Sequence, residues 1–166
     1  MRLRPYIVSI DYEYLSKWVD DERIHALWCA NKIPYPLSAD KLQEILDIEA
    51  KHRNSHAYIV TKDDGERIGF FVLAVNLVEN YGHLKFVVIN DKLRGQGYGT
   101  QMSKLILKFA FEICGVLSVQ LNVFDINESA IKSYSKVGFV IDSITKDAFS
   151  YKEETWGRCH MMISVI

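Results

Sequence analysis

Three glycines on alternate positions, Gly95, Gly97 and Gly99, stand directly before an apolar stripe in the stretch NDKLRGQGYGTQMSKLILKFAF. Helical spacing relates the members of that stripe, which are Met102, Leu105, Ile106, Phe109, Ala110 and Ile113. Glycine costs roughly 0.5–1 kcal/mol relative to alanine inside regular structure, so three of them at a helix start need a reason. We interpret them as a loop whose backbone is itself a binding surface.

The start of this helix is an expected anion site. The first four N–H groups of a helix have no intrahelical partner, and the helix dipole gives that end a positive potential. Glycines permit positive φ and close approach, so successive amides can converge on one anion. A P-loop is excluded because the chain has no Gly-Lys pair. A dinucleotide fingerprint, GxGxxG, is interrupted at Thr100 or at Met102.

The remaining segments predict strands and helices in a definite order. A first strand, RLRPYIV, is followed by one or two helices up to about Asn31 and by another that Ser38 or Asp40 caps. A hairpin around an Asp-Gly turn and the strand GHLKFVVIN precede the glycine segment. After it we expect the strand LSVQLNVF, a helix capped by Asn127 and closed by Gly138, and the strands FVIDSI and RCHMMISVI. This order predicts an α/β sandwich with a mixed sheet and a parallel strand–helix–strand unit at its middle.

Composition narrows the class of protein. The chain has 166 residues, 49% apolar, and 20 basic against 21 acidic side chains give a net charge of -1. That balance argues against nucleic acid as a partner, since binding it requires a basic excess. The N-terminal segment lacks the apolar core of a signal peptide, and no apolar run reaches membrane-spanning length. The three cysteines are odd in number and far apart in sequence, which favours reduced thiols. We expect a single cytoplasmic domain over residues 1–166, without a membrane or metal partner.

The glycine loop also fits a family pattern. Arg94 to Gly99 matches [RQ]-x-x-G-x-[GA], and Asn127, Tyr134 and the closing Gly138-Phe139 follow about thirty residues later. In these motifs, from about position 82 to position 139, the chain resembles the GNAT superfamily of acyl-CoA-dependent N-acetyltransferases. Its opening, LRPY…LSKW, is similar to the subgroup of ribosomal-protein N-terminal acetyltransferases.

This resemblance implies both a fold and a cosubstrate. The implied fold is α/β (α+β): a mixed, mostly antiparallel sheet of six to seven strands with a central splayed parallel pair and helices on both faces. The implied acyl donor is acetyl-CoA, with its pantetheine arm along one strand and its pyrophosphate on the loop amides. The cofactor-binding residues carried over on this basis are Val87, Val88, Ile89, Arg94, Gly95, Gln96, Gly97, Tyr98, Gly99, Thr100 and Asn127.

The same resemblance assigns catalytic roles. Tyr134 matches the tyrosine that protonates the departing thiolate, and the backbone N–H of Val88 or its neighbour is the implied oxyanion donor. Packing of the Tyr134 ring on the sheet is the alternative, and both can hold. Some relatives carry a glutamate base where this chain has Asn122. His83 is the candidate base, with ordered water as an equal alternative.

The acceptor and the assembly state stay open. A primary amine is implied, either a protein N-terminus or a small molecule, and a noncatalytic acyl-CoA-binding module is the alternative class. Candidate lining residues of an acceptor pocket are Trp18, Trp28, Tyr35 and Trp156, with packing favoured for Trp18. Carboxylates that would favour a cationic amine are Asp20, Asp21, Glu22, Glu153 and Glu154. The segment MMISVI either pairs across a dimer or lies inside the sheet, and the protein is expected to be a monomer or a homodimer.

Overall fold

The computed structural model describes residues 1–165 and contains one seven-stranded sheet. The strands are β1 Arg2–Pro5, β2 Ser55–Thr61, β3 Arg67–Asn76, β4 Tyr81–Ile89, β5 Ser118–Phe124, β6 Val140–Tyr151 and β7 Glu154–Ser164. Their order in the sheet is β1-β2-β3-β4-β5-β7-β6. Only β4 and β5 run parallel, and every other neighbouring pair is antiparallel. The predicted mixed sheet and its parallel unit are therefore confirmed.

Five α-helices accompany the sheet within the described chain. They are α1 Val8–Trp18, α2 Glu22–Cys29, α3 Ala39–Arg53, α4 Tyr98–Lys108 and α5 Glu128–Lys136. Side chains cap three of them, because Asp21, Ser38 and Asn127 each accept a hydrogen bond from the backbone N–H three residues ahead. A π-helical turn over Phe109–Ile113 extends α4 before the chain turns at Gly115.

Both faces of the sheet are covered, as predicted. One apolar cluster joins α4 and α5 to the sheet and includes Leu84, Met102, Ile106, Leu121 and Tyr134. The other joins the three N-terminal helices to the sheet and includes Leu15, Trp28, Leu42, Phe70 and Phe86. Leu84 of β4 belongs to the first cluster, and Phe86 and Val88 belong to the second, so this one strand contributes to both. A register shift between Lys85 and Val88 separates these residues, which regular alternation would place on one face.

The N-terminal strand lies at an edge of the sheet, and the C-terminal strand lies inside it. Pro5 lies on edge strand β1, where the missing N–H is tolerated, as expected. Residues 161–164 of the segment MMISVI belong to β7, which lies between β5 and β6, so the placement inside the sheet is confirmed. Ile166 lies outside the described residues. Strands β6 and β7 are longer than the sequence predicted, since their hairpin pairing continues to Tyr151↔Glu154. No helix within residues 1–165 is long and apolar enough to cross a membrane.

A buried carboxylate anchors α1 to the sheet. Asp11 is fully buried and accepts hydrogen bonds from Arg4 at 2.7 Å, from Arg67 Nε at 2.8 Å and from the Ile7 N–H at 2.9 Å. Burial alone would raise the pKa of Asp11, but the hydrogen bonds from Arg4 and Arg67 outweigh it and lower the pKa. With these three side chains charged, the network fixes α1 to the sheet.

Candidate active site

The parallel strands β4 and β5 separate after a short stretch of pairing. They are paired from Tyr81↔Ser118 to Leu84↔Leu121, although β4 continues to Ile89 and β5 to Phe124. The second half of β4 therefore has an edge that no β5 residue pairs with. Unpaired backbone groups on such an edge can bind an extended ligand as an added strand would. The splayed central pair expected from the resemblance is confirmed.

A β-bulge lies where the strands part. Phe70 pairs with Val88 and Val72 pairs with Lys85, so β4 has one more residue than β3 between these pairs. Phe86, inside this bulge, has φ +51°, an unfavourable value for a bulky aromatic residue. Its carbonyl accepts a hydrogen bond from Trp28 Nε1 of α2 at 2.7 Å. A side chain from the N-terminal layer therefore holds the bulge.

The glycine loop leads from β4 into α4 and leaves donors without partners. Gly95 and Gly97 have φ +74° and +85°, and a Cβ on either would meet no atom within 4 Å. The backbone turn is thus the reason for these glycines, and space remains above them for a ligand. Gly97 is the N-cap of α4 and provides no side-chain cap. The first helical bond runs from Gln101 N to Gly97 O, so the preceding amides have no helical acceptor.

The third glycine and Arg94 shape this loop in other ways. A Cβ on Gly99 would lie 3.5 Å from Ser133 Oγ, an ordinary contact distance, so α4 and α5 are neighbours here and a small side chain would fit. Arg94 donates from Nε to Ile89 O at 3.1 Å and from Nη2 to Trp18 O at 2.7 Å. These two bonds fasten the loop to the end of β4 and to α1. The first turn of α4 has no acidic residue, which suits an anionic ligand.

A cavity of about 440 Å³ joins the loop, the splayed strand and α5. Ten of the predicted site residues line it: Val87, Val88, Ile89, Arg94, Gly95, Gly97, Gly99, Thr100, Asn127 and Tyr134. Gln96 and Tyr98 are not among the lining residues; the Gln96 amide donates to Lys92 O at 2.9 Å, and Lys62 Nζ lies over the Tyr98 ring. Gln96 and Tyr98 would therefore contact a ligand through their backbone atoms only.

Tyr134 lies in the wall of this cavity. It is 8% exposed, and its ring packs edge-on against Phe139 at 5.6 Å between centroids. Burial raises the pKa of the phenol above its ordinary value, so the hydroxyl keeps its proton at neutral pH. The predicted packing role is thus present, and the hydroxyl remains a neutral donor.

His83 lies apart from that cavity. It lines a second cavity, with Lys85 of β4 and His52 and Arg53 from the end of α3. Burial and, next, the charge of Lys85 lower the pKa of His83 to about 4. Asn122, where a glutamate base was considered, pairs across the sheet with His160 of β7. The structure therefore does not bring His83 to the residues around Tyr134.

Two helices contribute lining residues that the sequence did not single out as site residues. Ile24 and Leu27 of α2, and Ser129, Ser133 and Lys136 of α5, border the cavity. Trp28 of α2, which the sequence named as a candidate for the acceptor pocket, borders it too. The α2 residues follow the same apolar spacing as core residues, so their pattern gives no separate signal. The α5 serines are four residues apart and share one helix face, which is a weak signal of a polar surface.

An aromatic group lies beside α2 on the C-terminal half of the sheet. It consists of Phe124, Phe149, Tyr151 and Trp156, and Ala26 packs against it. Arg23 pairs with Glu154 and lies over the Trp156 ring at 5.2 Å, while Lys152 pairs with Glu22 at 2.9 Å.

These contacts bear on the residues expected around an acceptor. Glu22 and Glu154 neutralise basic neighbours, and Asp21 caps α2, so three of the five proposed carboxylates have structural partners. Trp18 is 3% exposed in the core, as expected, and Trp156 is 1% exposed. The Tyr35 hydroxyl donates to Asp20 O.

Three features of one cavity match what the resemblance to acyl-CoA-dependent transferases implied: a splayed parallel pair, a glycine loop with unpaired amides and a buried tyrosine. Residues 14–139 match the model of the Acetyltransferase (GNAT) family, and the chain belongs to this family. It is an acetyl-CoA-dependent N-acetyltransferase that acts on a primary amine. The loop geometry fits the cosubstrate, since free amides and open space occur together where a pyrophosphate would bind.

Two known proteins show which members of this family the chain resembles. The chain is 28% identical over 148 residues to spermidine N(1)-acetyltransferase of Escherichia coli, covering 86% of this chain and 74% of the relative. The structure resembles the spermidine N-acetyltransferase from Vibrio cholerae in complex with CoA and spermine, with a TM-score of 0.83 at 20% identity, covering 98% and 94% of the two chains. These relatives correct the expected ribosomal-protein subgroup. The segment LRPY…LSKW forms β1 and α1, which are parts of the fold rather than of the acceptor site.

Proposed function

We propose that this acetyltransferase acts on a primary amine of a small aliphatic polyamine such as spermidine. The observation that carries the transfer itself is the single cavity that joins unpaired α4 amides to the buried hydroxyl of Tyr134. The polyamine as acceptor is supported by the relatives, which are spermidine N-acetyltransferases. A protein N-terminus is the acceptor that the experiment below must distinguish.

The glycine loop is the proposed seat of the pyrophosphate. The amides of Gly97, Tyr98, Gly99 and Thr100 precede the first helical hydrogen bond, so each has a donor to offer. Arg94 holds the loop in place through the carbonyls of Ile89 and Trp18. Asn127 caps α5 at the same cavity and orders its polar face.

The splayed strand is the proposed site of the pantetheine arm and of the reacting carbonyl. Backbone groups of Val87, Val88 and Ile89 border the cavity on the part of β4 that β5 does not pair with. Acetyl-CoA supplies an acetyl group activated as a thioester. An N–H of Val88 or its neighbour Val87 would donate to the oxygen on which negative charge develops, and such donors are worth about 10²–10³ in rate.

Tyr134 is the proposed general acid. As the amine nitrogen bonds to the acetyl carbon and the carbon–sulfur bond breaks, the Tyr134 hydroxyl gives its proton to the sulfur. Free phenol and thiol have pKa values of about 10 and 8.5. Burial raises the pKa of the phenol and also that of a thiol in the same dry site, so both groups favour their neutral forms.

We assign the removal of the amine proton to water rather than to a side chain that lines the cavity. A free primary amine has a pKa near 10. An imidazole whose pKa is about 4, as burial makes that of His83, binds a proton far too weakly to compete. The role of His83 as base stays a prediction, which the kinetics of a His83 variant test. The cytoplasmic location and the monomer or homodimer state also stay predictions.

Labelled acetyl-CoA and an amine panel test this function. The panel contains spermidine, spermine, a monoamine of similar length and a peptide with a free N-terminus, with Tyr134→Phe as the matched protein control. Acetyl transfer to the polyamines that the control loses supports the proposal. Transfer to the peptide alone replaces the acceptor, and binding of CoA without transfer to any amine identifies a noncatalytic acyl-CoA-binding module.

A further inference from the structure

We propose that Trp28 is a positioning residue for acetyl transfer, acting through the peptide group between Phe86 and Val87. This inference rests on the proposed use of the splayed strand for the reacting carbonyl. It concerns how the chain keeps that strand in a reactive shape, and it assigns the task to a side chain on α2, which is 58 residues away in sequence.

The contact itself is short and buried. Trp28 is 7% exposed, and its Nε1 donates to the Phe86 carbonyl oxygen at 2.7 Å. Its ring packs against the rings of Phe86 and Phe70, with centroid separations of 5.9 Å and 6.1 Å. The carbonyl belongs to the bulge residue with positive φ, a conformation that persists only where surrounding contacts enforce it.

The peptide group transmits this contact to the cavity. The carbonyl of Phe86 and the N–H of Val87 belong to one planar trans peptide, so they point in opposite directions. A donor that fixes the carbonyl therefore also fixes the Val87 N–H. Trp28, Val87 and Val88 all line the same cavity, so the bond lies in the wall of the site. Turning this peptide would re-aim the donors of the second half of β4.

Helix α2 is held rigidly enough to do this. Its N-terminal end is fixed to the β6–β7 hairpin by Arg23, which pairs with Glu154 and lies over Trp156. Ala26, in its middle, packs against Phe124 and Trp156 of the C-terminal half of the sheet. One helix thus contacts both halves of the divided sheet, with Trp28 on the β4 side. The position of the Trp28 indole N–H is therefore set by the packing of α2 and not by the Phe86 bulge to which it donates.

The variant Trp28→Phe keeps an aromatic ring and removes the donor. We expect kcat to fall about 10- to 100-fold, because misplacement of a reacting group by about 1 Å costs about 10²-fold. The Kd for CoA, measured by calorimetry, should stay within about twofold, since the loop amides are untouched. Leu42→Ala is the control, because Leu42 is fully buried in the same apolar cluster and lies outside the cavity. The control should lower the melting temperature and leave kcat and the Kd for CoA near wild type.

A second measurement does not depend on turnover. Amide hydrogen exchange in the CoA complex should become faster at Val87 and Val88 in Trp28→Phe and stay unchanged at Gly97 and Gly99. If exchange and kcat are both as in wild type, or if Leu42→Ala loses kcat equally, the positioning role is wrong. If wild type transfers acetyl to no amine while the exchange pattern changes as expected, the proposed function fails and the contact still positions this peptide.

Discussion

The proposed donor side and the proposed acceptor side of the cavity are built in different ways. On the donor side, neighbouring residues of one loop and one helix start provide the proposed binding groups, which are the backbone amides of Gly97, Tyr98 and Gly99. On the proposed acceptor side, Ile24, Leu27 and Trp28 of α2 line the cavity. Helix α2 is in turn fixed to the distant β6–β7 hairpin by Arg23, which pairs with Glu154 and lies over Trp156.

This difference explains what each side can tolerate. Backbone donors are present whatever the side chains are, provided that the turn forms, so the donor side depends on a few glycines. Side-chain contacts depend on each residue type, so the acceptor side can change its chemistry while the fold persists. The following variants test whether the two sides are as separable as the structure indicates, from the largest expected effect to the smallest.

Tyr134→Phe is expected to have the largest effect. It removes the hydroxyl and keeps the buried ring against Phe139, so kcat should fall about 100-fold or more, as for loss of a general acid. The Kd for CoA should change less than about twofold. Steady-state turnover and calorimetry measure the two quantities, and a kcat equal to wild type would remove the assigned role.

Because burial raises the pKa of Tyr134, the acid should stay protonated up to its ordinary value of about 10. The wild-type kcat should therefore show no alkaline fall from this group between pH 7 and 9.

Gly97→Ala should weaken the donor side alone. A Cβ at φ +85° strains the turn that presents the amides, so the Kd for CoA should rise about tenfold and stability should fall by about 1 kcal/mol. Gly65→Ala is the matched control, because Gly65 has φ +93°, meets no atom within 4 Å and lies in the β2–β3 turn. Equal losses of CoA affinity in both variants would show that the effect is general strain.

Asp11→Asn should lower stability without changing either side of the cavity. It leaves Arg4 and Arg67 without their buried partner, so the free energy of unfolding should fall by about 3 kcal/mol, or roughly 10 °C in melting temperature. The folded-state pKa of Asp11 is lowered, so its contribution is present above the unfolded value of about 3.9 and is lost as the pH falls through the folded value. The variant should therefore lose part of the acid sensitivity of wild type.

Glu13→Gln is the surface control for this prediction. Glu13 lies on the same helix and pairs with exposed Lys17 at 2.9 Å. The melting temperature of this variant should stay close to that of wild type, since exposed pairs contribute little. The buried network is not the anchor of α1 if both variants melt alike.

His83→Gln should have the smallest effect. With its pKa lowered to about 4, His83 is neutral at pH 7 and a weak base, so kcat/KM between pH 6 and 9 should stay within about twofold of wild type. A loss of more than tenfold, with a displaced acidic limb, would restore His83 as the base. The pH–rate profile of both proteins decides the matter.

Sequence reasoning succeeded where the information is local. The glycine loop, the cap at Asn127 and the spacing to Tyr134 each lie within one short segment, and the structure brings them into one cavity. Periodicity also predicted α4 correctly, since Met102, Ile106 and Ala110 of the stripe are buried. Ile113, the last member of the predicted stripe, is 73% exposed at the end of the π-helical turn.

Sequence reasoning failed where distant segments meet. A positive φ at Phe86 has no sequence signal, because the bulge follows from the pairing of β3 with β4. The polar segment between FVIDSI and RCHMMISVI gave no strand pattern, and only its hairpin partner extends β6 and β7. His83 was chosen by residue type, but it lies before the bulge of β4 and lines another cavity.

Because β4 pairs with β5 over a short stretch only, binding of the cosubstrate along β4 should increase the stability of the protein. Without ligand, half of a central strand has a bare edge inside the sheet, the kind of opening from which local unfolding and proteolysis begin. A molecule that pairs with this edge only in the native state adds to stability by mass action, about 2.7 kcal/mol when its concentration is 100 times Kd. The free energy of unfolding and the resistance to proteolysis should therefore rise with the concentration of acetyl-CoA.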